Sequence, residues 1–200
     1  MRSAEQVKEK RHETAVVKPT EQLKTEHNAI KLMLKILGAV SDRLEAGEEV
    51  DAGHLERMEE FIKIFADKCH HGKEEDLLFV AMEEAGFPRQ AGPIGVMLYE
   101  HDLGRGYVRG MSQAIARYKA GDRSAASDIV TNARNYVNLL SQHIDKEDNV
   151  LYPMADAALS EKKQEQLVCD FERVELERIG PGKHEEFHQL LDYLQGVYLK

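Results

Sequence analysis

His70–Phe79 reads HHGKEEDLLF, and His143–Pro153 reads HIDKEDNVLYP. The two segments lie 73 residues apart and match at His70/His143, Lys73/Lys146, Glu74/Glu147, Leu78/Leu151 and Phe79/Tyr152. Upstream of each, Glu26-His27 recurs as Glu100-His101 at an offset of 74 residues. Each half of the chain thus carries a lone histidine and then a His-x-x-x-Glu pair, 43 residues on in the first half and 42 in the second. A four-residue step puts both members of a pair on one helix face, a turn apart. Taken singly, such a pair is an ordinary surface feature worth a few tenths of a kcal/mol. The chain has four: His70/Glu74, His71/Glu75, His143/Glu147 and His188/Asp192. Duplication of two of them together with their lone histidines is what points beyond a surface role.

Outward from these segments the apolar spacing is helical. Pro19-Thr20-Glu21 opens a helix with Leu23, Ile30, Leu34 and Leu37 on one face, ending near Gly47. Asp51 is placed to cap a second helix, carrying Leu55, Met58, Ile62 and Phe65 onward to Met82. A third runs from about Pro93 to Ala120 and a fourth from about Ser124 to Ala158, with Pro153 expected to kink it or end it early. Short connections between long helices predict an all-α fold, an antiparallel up-down four-helix bundle built from two repeated hairpins. The expected organisation is a polar N-terminal arm at residues 1–18, the bundle at 19–159, and appended C-terminal helices at 160–200 packing on it.

Composition agrees. Only 14 glycines and 5 prolines occur in 200 residues, too few for a turn-rich all-β protein. The formal net charge of −9, with no basic run, argues against nucleic acid or an anionic membrane surface as a partner. No apolar run is long enough to span a bilayer. Cys69 and Cys169 are too few for a disulfide framework, and the N-terminus lacks an apolar signal stretch, so a reduced, cytoplasmic protein is expected.

The duplicated histidines and glutamates lie on the core stripes. His27 falls between Leu23 and Ile30, His101 follows Ile94, Met97 and Leu98, and His143 continues the stripe of Tyr136, Leu139 and Leu140. Burying an unpaired carboxylate costs several kcal/mol, roughly, and no Lys or Arg stands on the facing stripes to match both. Metal cations remove that conflict. Six ligands exceed the four of a structural zinc. Two metals, each with two histidines and sharing Glu74 and Glu147 as bridges, fit both the number and the repeat. Imidazole with carboxylate suits iron, manganese or zinc.

The order His27, His70-x-x-x-Glu74, His101, His143-x-x-x-Glu147, with its two signature segments, resembles the hemerythrin-like (HHE cation-binding) family over about residues 20–160. The resemblance implies a non-haem di-iron site with an oxo or hydroxo bridge, where Mn or Zn can substitute, held by His27, His70, Glu74, His101, His143 and Glu147. It implies dioxygen, nitric oxide or peroxide as the small ligand. The role is then that of a di-iron oxidoreductase removing peroxide or nitric oxide, or of a non-catalytic sensing or iron-handling module. Oxygen carriers of the family have a further histidine one turn after the lone histidine of the third helix; here that position is Arg105. Arg105 is expected over the open coordination position or paired with an acid such as Glu100 or Asp102. Tyr136, His71 and His188 are expected near the site, outside the ligand set. His12 and His54 read as surface, and Cys69 as a buried small residue. Glycines 92, 95, 104, 106 and 110 read as close helix packing or a path for a small gas. A far-ultraviolet circular dichroism spectrum dominated by helix is expected; one dominated by strand overturns this fold.

Overall fold

The structure is a computed structural model and describes residues 18–199. The polar arm and His12 lie outside the described residues, save Lys18. Six helices form: α1 (Pro19–Glu45), α2 (residues 52–84), α3 (Gly92–Lys119), α4 (residues 125–158), α5 (residues 161–179) and α6 (Lys183–Tyr198), with no strand among the described residues. Their ends follow local chemistry. Pro19 begins α1, where a missing N–H costs nothing. The Asp51 carboxylate accepts from the Gly53 N–H at 2.7 Å and caps α2. Gly47 and Gly121 take φ of 78° and 98° just past α1 and α3, the left-handed conformation that lets a helix stop in a short turn.

Three helices carry wide, π-type turns, α5 at Glu175–Ile179 and α2 and α4 at places matched in the repeat. In α2 they span Ile62–His71 and Glu74–Leu78; in α4 one spans Glu147–Leu151. The Phe79 N–H bonds to the Glu74 carbonyl and the Tyr152 N–H to the Glu147 carbonyl, five residues back. Such turns cluster at functional sites because they re-aim side chains. Pro153 follows the second one, and α4 runs past it to Ala158 rather than ending there.

Ion pairs give the helix directions. Lys18–Asp156, Lys31–Asp148 and Arg134–Asp42 join α1 to α4 in opposite senses. Lys119–Glu56 and Arg105–Glu75 do the same for α3 and α2. Where α3 meets α4, a Cβ on Gly104 would lie 3.4 Å from Leu140, and one on Gly110 only 2.4 Å from Asn132, so these glycines serve close packing.

The core divides into two apolar clusters. One holds Leu37, Phe61, Phe65, Met111, Ile129 and Phe187; the other holds Leu23, Phe79, Met97, Tyr152 and Phe171. Between them, along every one of the first four helices, lies a buried polar layer containing His27, His70, Glu74, His101, His143 and Glu147. The last two helices join these same clusters. Phe187 of α6 meets Phe61 edge-on at 5.4 Å. His54, expected at the surface, instead hydrogen-bonds through Nδ1 to Tyr198 Oη at 2.8 Å and ties α6 to α2. Because Phe187 shares the main core, Phe187→Ala should lower stability by about 3–5 kcal/mol within one denaturant transition. A separate early transition for α6 would refute a shared core.

Candidate metal centre

Two groups of side chains offer ligand atoms that all lie within 4.8 Å of one another: His27, His70, Glu74 and Glu147; and His71, Glu74, His101 and His143. Every one of these residues is buried. His143 Nε2 stands 3.0 Å from Glu147 Oε1, and His27 Nε2 stands 3.2 Å from Glu147 Oε2. His101 Nε2 is 3.5 Å from Glu74 Oε2 and 3.0 Å from His143 Nε2.

The other ring nitrogen of each duplicated histidine points outward and donates to a carboxylate. His70 Nδ1 is 2.8 Å from Glu26, His27 Nδ1 2.8 Å from Asp148, His101 Nδ1 2.7 Å from Glu75, and His143 Nδ1 2.9 Å from Glu100. With the proton on Nδ1, Nε2 keeps its lone pair and faces the centre, the tautomer a metal ligand needs. Each carboxylate is in turn paired with a cation: Glu26 with Lys73, Asp148 with Lys31, Glu75 with Arg105 and Glu100 with Lys146. Four chains of cation, carboxylate and imidazole converge on one point, related in pairs by the internal repeat.

The inner carboxylates carry what these chains leave undone. Glu74 Oε2 and both oxygens of Glu147 are buried with no hydrogen-bond partner. Burial, together with the Glu147 charge beside it, pushes the Glu74 carboxyl well above the usual range. Burial also disfavours charge on Glu147, but His143 and His27 hold its carboxyl well below. Burial acts to lower His143, and the Glu147 charge and the Glu100 hydrogen bond outweigh it, raising the imidazole to about 9. Burial pushes His70 down to about 4. The donor set fits a pair of divalent or trivalent ions: unpartnered buried carboxylate oxygens ringed by inward imidazole nitrogens are satisfied by cations.

The family profile "Hemerythrin HHE cation binding domain" matches residues 18–155. The chain belongs to this family. Uncharacterized proteins of Mycobacterium bovis and Mycobacterium tuberculosis are similar to it, each 26% identical over 160 residues. That match covers 80% of this chain and 62% of each relative, so the chain spans less than two thirds of their length. No solved structure matches significantly.

As a hemerythrin-family site this one has features that the spacing of its residues conceals. His71 was expected outside the ligand set, turned about 100° from His70; its ring instead lies flat on His101 at 3.9 Å, within one of the two ligand groups. It ends the wide turn Ile62–His71, where the angle per residue departs from the α-helical value. Tyr152 was read only as the repeat of Phe79. Its hydroxyl donates to Glu74 Oε1 at 2.7 Å and lies 3.3 Å from His27 Nε2. Glu26, Glu75, Glu100 and Asp148 were not singled out as partners of the histidines. Their signal in the sequence is the repeat itself: each lone histidine follows a glutamate, and each of Glu74 and Glu147 precedes an acid.

Arg105 does not lie over the centre. Its guanidinium donates to Asp67 at 2.8 Å, Glu75 at 2.6 Å and Asp102 at 3.1 Å, and so reaches His101 only through Glu75. Tyr136 is buried beside Gly104 and outside both ligand groups. His188 is exposed on α6, beside His184, away from the site. Cys69 is buried, and its thiol is pushed up to about 12 by that burial, as suits an unreactive core residue. Lys73 is fully buried but faces Glu26 and Glu175, not Glu74 or Glu147.

Glu26→Ala removes the acceptor of His70 and leaves Lys73 with Glu175 alone. It should lower metal affinity about 10–100-fold in a chelator competition. Glu26→Gln keeps an acceptor and should lose less; an unchanged affinity in Glu26→Ala would show that the outer carboxylate does not orient the ligand.

Proposed function

We propose that the chain is a non-haem di-iron protein that binds or reacts with dioxygen, nitric oxide or peroxide. The reading takes α1–α4 as an antiparallel up-down bundle closed round a dinuclear centre. His27 and His70 would hold one ion, His101 and His143 the other, with Glu74 and Glu147 between them. The observation that carries it is the set of three unpartnered carboxylate oxygens in a buried ring of imidazoles. Family membership makes iron the metal of choice, while imidazole and carboxylate also accept manganese or zinc.

When bound, a pair of irons supplies electrons one at a time to a small oxidant. The protein's own groups do the rest. The apolar clusters on either side exclude water from the centre. Glu26, Glu75, Glu100 and Asp148 hold the outer imidazole protons, which keeps every Nε2 free. Tyr152 offers the one hydroxyl that contacts both Glu74 and His27, a proton donor within reach of anything bound on that side. Phe79, its counterpart in the repeat, stacks against His101 at 6.1 Å and has no such group.

Elemental analysis of protein loaded anaerobically with ferrous iron should give two irons per chain, lost together in Glu147→Ala. Addition of dioxygen, nitric oxide or peroxide to the reduced protein should change its visible spectrum. Many equivalents consumed per site would mark an enzyme, and one equivalent a sensor. A single tetrahedral zinc, or no metal after loading, would overturn the reading.

A further inference from the structure

His71 is the one inner imidazole that the repeat does not duplicate; its counterpart in α4 is Ile144. It is also the one held least firmly. Its Nδ1 is 3.4 Å from Asp67, at the outer edge of hydrogen bonding, while the four duplicated histidines have their carboxylates at 2.7–2.9 Å. Asp67 is a third exposed and gives the same oxygen to Arg105 Nε at 2.8 Å. One face of the ring is stacked on His101. His71 also lines a cavity of about 170 Å³ between α2, α3 and α4. Ile62, Gly104, Val108 and Tyr136 give this cavity an apolar wall, and Lys63, Arg109 and the Asp67–Arg105 pair border it as well. Water takes about 30 Å³ per molecule in the liquid, so the space admits a diatomic or triatomic ligand or receives a displaced imidazole.

We infer that His71 is an exchangeable fifth imidazole: it holds the metal of the His101/His143 group and gives way to a small neutral or anionic ligand arriving through this cavity. The inference rests on the dinuclear reading above. The exchange is a simple substitution, in which the imidazole nitrogen leaves with its lone pair and the entering donor brings one. No electron changes hands. The weak Asp67 contact lets the ring turn, the cavity's volume limits the ligand to a small one, and Lys63, Arg105 and Arg109 at its border admit an anion.

Azide is the probe, added to the oxidised two-iron protein and followed by its charge-transfer absorption. His71→Ala should keep two irons per chain and bind azide about tenfold faster or tighter, because no protein ligand has to leave. Val108→Phe fills the cavity from a residue that touches no ligand. It should slow azide about tenfold while leaving iron content and the azide-free spectrum unchanged. Ile62→Phe narrows the same space from α2 and serves if Val108→Phe does not fold. Loss of an iron in His71→Ala would overturn the inference by making His71 a fixed ligand. Azide kinetics like the parent's in either kind of variant, with two irons present, would overturn it as well. A parent that holds no iron would instead overturn the dinuclear reading, and the inference with it.

Discussion

Two glutamates sit in the middle of this protein with three of their four carboxylate oxygens making no hydrogen bond, ringed by imidazole nitrogens. Water cannot solvate them, because apolar clusters close the layer on both sides. The nearest lysine is turned away to other acids. Unmet desolvation of several kcal/mol, roughly, per buried ion is a demand that a bound cation would meet. The neighbouring groups are consistent with that demand. Each imidazole around the pair is fixed from behind by a carboxylate, and each of those carboxylates is balanced by a lysine or arginine. Charge is therefore neutralised in shells, with its one deficit at the centre.

Duplication explains the outline of the site, and its departures from symmetry explain where chemistry is placed. Tyr152 faces Phe79, so one half of the centre has a hydroxyl and the other an inert ring. His71 faces Ile144, so one half has an extra imidazole. Lys73 is fully buried, whereas Lys146 keeps 40% of its side chain in solvent. The last difference comes from α5, whose Glu175 reaches over Lys73 and seals the His70 side. The added helices thus act on one half of the centre only. Their contribution is visible in the core as well, through Phe171 in one cluster and Phe187 in the other.

Arg105 shows how a substitution relocates a role instead of deleting it. In the repeat its counterpart is Lys31, and each cation pairs with an acid of the other half that orients the lone histidine of the cation's own half: Lys31 with Asp148 beside His27, Arg105 with Glu75 beside His101. Arg105 thereby supports His101 from behind, and the further imidazole grouped with His101 and His143, that of His71, stands on α2.

Helix ends, the two-fold repeat and the six duplicated ligand candidates were legible in the sequence, because all depend on spacing along one helix, where a four-residue step means one turn. Pro19, Asp51, Gly47 and Gly121 mark boundaries by their own backbone and capping preferences, with no help from the rest of the chain. What only the tertiary structure decided is whatever depends on contacts between helices or on a turn that is not α-helical. The carboxylate partners of the duplicated histidines come from other helices, between 26 and 121 residues away, and no local pattern names them. Tyr152 stands five residues after Glu147, nearly opposite in a regular helix, and His71 a third of a turn from His70. Both enter the site because wide turns shift the register at those points. Arg105 has the spacing to face the site and His188 the residue type of a ligand, yet neither joins it: the first is a donor held by Asp67, Glu75 and Asp102, and the second is exposed on α6.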